Sequence, residues 1–164
     1  LANIKLFYRK RVSTGPWIVL LHGLQSCSEA FDFLFQSKEL QSYSLLAVDL
    51  VGFGSSEKPQ TFSYDIDGQA EQLLKLIDEL GISEFSVVGH SLGGMIATLF
   101  LQRCQSRVKS IVSMEGNLTF ADCGASAQIA NLKKYVIRRV KLVKNVLIGS
   151  VNVPAMSFSV RLRP

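Results

Sequence analysis

The five residues Gly89-His90-Ser91-Leu92-Gly93 constrain this chain more than any other stretch. They follow the apolar run Phe85-Ser86-Val87-Val88 and precede Gly94-Met95-Ile96-Ala97-Thr98-Leu99-Phe100-Leu101. The first run has the composition of a buried strand and the second that of a buried helix. A serine between two glycines at such a junction has a physical logic. The chain reverses so sharply that a side chain at either flank would strike the neighbouring backbone. The serine is then held in a strained conformation, hydroxyl outward, with the amides of the following helix aimed at the same spot. This is the pattern of a nucleophile elbow.

Two further segments stand upstream in a compatible order. Trp17-Ile18-Val19-Leu20-Leu21 is continuously apolar, as a strand buried on both faces of a parallel sheet must be, and it ends in His22-Gly23-Leu24. A glycine there lets the backbone bend so that an amide points into a cleft. The run Ser44-Leu45-Leu46-Ala47-Val48 leads into Asp49-Leu50-Val51-Gly52-Phe53-Gly54-Ser55-Ser56. In that turn Gly52 and Gly54 suit positive-φ positions, and Asp49 is placed to accept turn amides.

With these three motifs in this order, the chain resembles the α/β-hydrolase superfamily from about Ile4 to about Ala130. The resemblance implies an α/β fold, a mostly parallel twisted sheet with flanking helices, here lacking the C-terminal strands. It implies a serine hydrolase in which Ser91 carries an acyl group and the amides of Leu24 and Leu92 form the oxyanion hole. His22, Gly23, Asp49, Gly52, Gly54, Gly89, His90 and Gly93 would be motif residues that shape the site. The implied substrate is a small carboxylic ester; related branches cleave carbon–carbon bonds, form peracids or transfer acyl groups. Ser91 argues against the haloalkane dehalogenase and epoxide hydrolase branches, which place an aspartate there. No cofactor is implied.

Such a mechanism needs a base for the serine and an acid that orients the base. Glu115, just past the strand Val108–Met114, is the expected acid, with Asp122 as second candidate. The base is missing from its family position. The chain has two histidines, His22 and His90, and none follows residue 90. His90 adjoins Ser91, so its side chain is expected to leave the other side of the elbow, and His22 belongs to the oxyanion segment. Recruitment of His22 as base is the alternative. The expectation is therefore a scaffold with weak or no activity, the N-terminal portion of a longer hydrolase, or else a non-catalytic product that binds a ligand or partner.

Charge divides the chain unevenly. Residues 1–122 hold 10 Lys or Arg against 13 Asp or Glu, whereas residues 123–164 hold 8 Lys or Arg and no acid. This break suggests a core over 1–122 and a divergent tail over 123–164. Within the tail, the apolar spacing of Ile129, Leu132, Val136, Val140, Val143 and Leu147 predicts a basic amphipathic helix over 128–148. It would serve as a lid over the pocket, or contact a membrane surface or an anionic partner. Nucleic acid is excluded as a partner because no aromatics interleave with the charges. Cys27, Cys104 and Cys123 form neither a disulfide framework nor a metal-binding pattern, and free thiols suit a cytoplasmic location.

Elsewhere the chain reads as alternating strands and helices. A strand is expected around Leu6–Val12 and a helix over Ser28–Leu40 with Phe31, Leu34 and Phe35 inward. A second helix enters at Tyr64-Asp65-Ile66, buries Ala70, Leu73, Leu74, Ile77 and Leu80, and stops at Gly81. An incomplete sheet would expose an edge and favour self-association.

Overall fold

The computed structural model describes residues 4–115 and 146–149. Among the described residues, six strands form one sheet: β1 (Tyr8–Arg11), β2 (Trp17–Leu21), β3 (Ser44–Val48), β4 (Phe85–His90), β5 (Val108–Met114) and β6 (Val146–Gly149). Their spatial order is β1-β3-β2-β4-β5-β6. Only β1 runs antiparallel to its neighbour; the other pairings are parallel. Central strands β2 and β3 are the continuous apolar runs of the sequence, and Val19, Leu20, Leu21, Leu45, Leu46, Ala47 and Val48 are all fully buried. A strand covered on both faces cannot alternate polar with apolar residues, and these do not.

Both faces are covered by helices. On one face α2 (Ile66–Glu79) and α3 (Leu92–Arg103) bring Ala70, Leu73, Ile77, Ile96 and Phe100 against Val19, Leu21, Leu46 and Val48. On the other, a 3-10 turn (Ser28–Phe31) and the short helix α1 (Asp32–Gln36) bring Phe31 and Leu34 against Ile18, Leu20, Leu45 and Ala47. The Asp65 carboxylate caps α2 by accepting the Gly68 amide at 2.7 Å. Gly81, at φ 68°, ends the helical segment in the left-handed turn a glycine adopts freely.

Two expectations are corrected. The helix expected over Ser28–Leu40 ends at Gln36, because Ser37 adopts an extended backbone (φ −64°, ψ 130°) and its hydroxyl donates to the Glu39 carboxylate at 2.6 Å. Serine competes with helix in this way, through local hydrogen bonds. The amphipathic helix expected over 128–148 does not extend to its stated end. Val146, Leu147 and Ile148 lie in β6, paired in turn with Ile111, Val112 and Ser113 of β5, so at least one further strand joins the sheet. A short apolar run between Asn145 and Gly149 reads equally as strand or helix, and pairing with β5 decides it. The remainder of that segment, residues 128–145, lies outside the described residues.

The topology places the site before any side chain is considered. From β2 the chain steps to β3 on one side, then returns to β4 on the other. The connections leaving β2 and β3 therefore diverge, and a crevice opens at the carboxyl ends of β2 and β4. Parallel register pairs Leu21 with Gly89. His22-Gly23-Leu24 and His90-Ser91-Leu92 consequently emerge side by side.

Candidate active site

Ser91 joins β4 to α3 with φ 49° and ψ −113°, a conformation that non-glycine residues rarely adopt. Neighbouring backbone holds it there. The Ser91 amide donates to the Met114 carbonyl at 2.9 Å, and the Ser91 carbonyl accepts from Gly94 at 2.9 Å and Met95 at 3.3 Å. Both flanking glycines are sterically required. A methyl group on Gly89 would collide with the Gly93 carbonyl and lie 2.6 Å from the Gly94 nitrogen. One on Gly93 would lie 2.6 Å from the Leu21 carbonyl carbon. Gly93 thus makes the close approach of helix to strand. Among the described residues, the amides of Leu24 and Leu92 have no acceptor.

Gly23 lies directly beside the elbow. A methyl group there would be 2.9 Å from His90 Nδ1 and 3.3 Å from Ser91 Cβ. Leu24 follows and remains 40% exposed, and Gln25 at φ 57° completes the bend. His22 is fully buried, with both ring nitrogens occupied. Its Nε2 accepts from the Leu50 amide at 3.0 Å, so Nδ1 carries the proton and donates to the Gly23 carbonyl at 2.7 Å. Burial pushes the imidazole below its ordinary pKa of 6.5, only partly opposed by the bond to Gly23 and the nearby Asp49 carboxylate. His22 is therefore neutral and ties β2's exit to β3's.

Asp49 organises the next turn. Its carboxylate accepts from the buried Ser28 amide at 2.6 Å and the Ser55 amide at 2.8 Å, and its carbonyl accepts from the Ser56 hydroxyl at 2.6 Å. Gly52 (φ 92°) and Gly54 (φ 49°) take the positive-φ positions, and a side chain on Gly54 would overlap the Asp49 carboxylate. Sequence reasoning missed Gln69, whose buried side-chain amide accepts from and donates to the backbone of Val51 at 3.0 and 2.8 Å. A glutamine on an otherwise apolar helix face was the available signal.

Glu115 leaves β5 at φ 50°, and its carboxylate lies 3.3 Å from His90 Nε2. About half of each side chain is exposed. The sequence pairs Glu115 with a histidine absent from the chain; the structure sets it on His90. The β4–β5 register aligns His90 with Met114, so two strands ending level bring the following residue within reach. Asp122 and Cys123 lie outside the described residues. Cys27 and Cys104 are free thiols, half-buried. Among the described residues, no helix is long and apolar enough to cross a membrane.

A parallel sheet with a strained serine at its switch point defines a class, and the sequence comparison agrees. Residues 16–135 match the alpha/beta hydrolase fold family, and the chain belongs to it. It is 31% identical over 116 residues to an uncharacterised hydrolase of Saccharomyces cerevisiae, covering 70% of this chain and 40% of that protein. Lipase 3 of a Moraxella species is 34% identical over 99 residues, covering 60% of this chain and 31% of the lipase. The solved structure of a bacterial membrane phospholipase A superposes with a TM-score of 0.68 at 30% identity, over 72% of this chain and 38% of that one. An epoxide hydrolase of Siraitia grosvenorii and a haloalkane dehalogenase of Mycobacterium bovis are relatives too. The chain thus spans two fifths or less of the length of the curated relatives named first.

Proposed function

We propose that this chain carries the nucleophile and oxyanion half of a carboxylic ester hydrolase, with Ser91 as the residue that is acylated. One observation supports this above the rest: Ser91 stands at a strained φ of 49° between two unpaired amide sources, Leu92 ahead of it and the Gly23-Leu24 bend beside it. A strained serine at a helix N-terminus serves packing poorly and serves attack on a carbonyl well. The Leu24 and Leu92 amides would receive the charge that develops on the carbonyl oxygen, where one such donor is worth about 3–4 kcal/mol. Lipases stand among the relatives, as do an epoxide hydrolase and a haloalkane dehalogenase. Ser91 favours an ester over an epoxide or haloalkane, since in the other two branches an aspartate attacks. Glu115 is the carboxylate of the site.

The test is turnover of p-nitrophenyl acetate and butyrate by this chain and by its Ser91→Ala variant. Hydrolysis that falls to the buffer rate in the variant supports the reading. Equal rates in both chains would refute it and favour a fold that binds a ligand without converting it.

A further inference from the structure

Gly23 is confined to glycine by the closeness of His90 and Ser91, and a glycine leaves the peptide that follows it free to turn. Whatever aims the Gly23–Leu24 peptide must therefore come from outside it. The peptide is trans and planar, so its carbonyl and its N–H point in opposite directions. His22 fixes the carbonyl end. Its Nδ1 donates to the Gly23 carbonyl at 2.7 Å, and among the described residues that carbonyl has no other donor. The Leu24 N–H consequently points away from the buried imidazole, toward the exposed side of the bend, and meets no acceptor among the described residues. The imidazole is itself held. Nε2 accepts from the Leu50 amide at 3.0 Å, and because a backbone amide only donates, the ring proton is forced onto Nδ1. Leu50 is fixed through its neighbours: the Asp49 amide donates to the Phe7 carbonyl at 2.9 Å, and Gln69 reaches from α2 to hold both the amide and the carbonyl of Val51. Gln69 is 2% exposed and uses both ends of its side chain on that one residue. Burying two polar ends costs free energy that an apolar side chain would not, so packing alone does not call for a glutamine there.

We propose that Gln69 and His22 are positioning residues that together aim the Leu24 amide at the substrate's carbonyl oxygen. This rests on the reading of Ser91 as the acylated residue and Leu24 as an oxyanion donor. Gln69 sets the backbone of Val51, and the adjoining Leu50 amide sets the proton of His22 on Nδ1. That proton sets the Gly23–Leu24 peptide. If the peptide turned over, a carbonyl oxygen would take the place of the N–H, and attraction for a developing negative charge would become repulsion. The charge develops only as Ser91 attacks, so misalignment of this donor lowers kcat and leaves KM nearly untouched.

The experiment uses the full chain, S91A, H22N, H22Q and Q69M. It reads the N–H residual dipolar coupling of Leu24 in the weakly aligned, isotope-labelled protein, and kcat and KM for p-nitrophenyl acetate. In place of His22, an asparagine nitrogen falls where Nδ1 stood and can still donate to Gly23, whereas a glutamine oxygen reaches the Nε2 position and can still accept from Leu50. Each variant deletes one buried bond, so a purely structural role lowers the urea midpoint of both without separating their rates. The expected result for H22Q is a shifted Leu24 coupling and a kcat lower by about 10–100-fold, approaching the loss of about 10²–10³-fold when an oxyanion donor is removed. Its KM should stay within about twofold of the parent's. H22N should keep the parent coupling and recover most of the rate. Q69M fills the same volume without polar ends, and should shift the Leu24 coupling and lose about 3–10-fold in kcat. If H22N and H22Q share one coupling and one kcat, or Q69M matches the parent in both, the assignment falls and the ester hydrolase reading stands. Should Q69M not fold, agreement between the two His22 variants still overturns the assignment. If the unaltered chain turns over no faster than S91A, both readings fall.

Discussion

Replacing Gly93 by alanine tests the packing that aims the site. An added methyl group would lie 2.6 Å from the Leu21 carbonyl carbon and 2.8 Å from Leu21 Cβ, and closer still to the carbonyl oxygen. Carbon atoms rest at about 3.5–4.0 Å, so α3 must retreat from β2 by about 1 Å. No rotamer relieves this, because the obstacle is the backbone of the fully buried Leu21. Overpacking of this kind costs about 1–3 kcal/mol. Removing a helical glycine returns about 1 kcal/mol, which leaves a net loss of about 1–2 kcal/mol where the clash is at its upper range. A domain of ordinary stability survives that loss. The functional loss should be larger than the stability loss. Leu92 begins α3, so its amide moves with the helix, and a 1 Å misplacement can cost about 100-fold in rate. Urea denaturation with p-nitrophenyl acetate turnover separates the two effects. A Gly93→Ala chain as stable as its parent and equally active would refute the close contact of α3 with β2 as a determinant of the site.

Two further perturbations follow from the turn and from the buried imidazole. Asp49→Ala strands the buried Ser28 amide, worth about 1–3 kcal/mol when left unpaired, and frees the exposed Ser55 amide to water, so the urea midpoint should fall by an amount equivalent to about 1–3 kcal/mol; a midpoint unchanged would mean the turn holds itself. His22 is depressed below 6.5 in the folded chain, so the unfolded chain binds the extra proton first as pH drops. Stability from this residue is therefore complete above pH 6.5 and falls below it, by up to about 1.4 kcal/mol per pH unit until the folded imidazole itself protonates. An NMR titration of the His22 ring, assigned with H90Q, checks it: a midpoint at 6.5 or above would overturn the account.

How much of this was legible in the sequence depends on how local the cause is. Strands β2 and β3 fall where their apolar runs predict, because a strand buried on both faces must be apolar along its length. The elbow and the Asp49 turn were equally legible, since glycine spacing there reports positive φ and close backbone approach. What escaped the sequence is what the sheet assembles at a distance. The pairing of β6 with β5 joins residues more than thirty positions apart. No local pattern announces it, and a four-residue apolar run fits helix and strand alike. Glu115 and His90 are separated by 25 residues and meet because two parallel strands end level. Read along the chain, Glu115 is an acid lacking its histidine and His90 is a motif residue with its place already assigned. Register alone turns them into a pair, and the same register sets Gly23 against both His90 and Ser91. The residue types that do chemistry were visible from the outset, but which of them act together is a property of strand alignment.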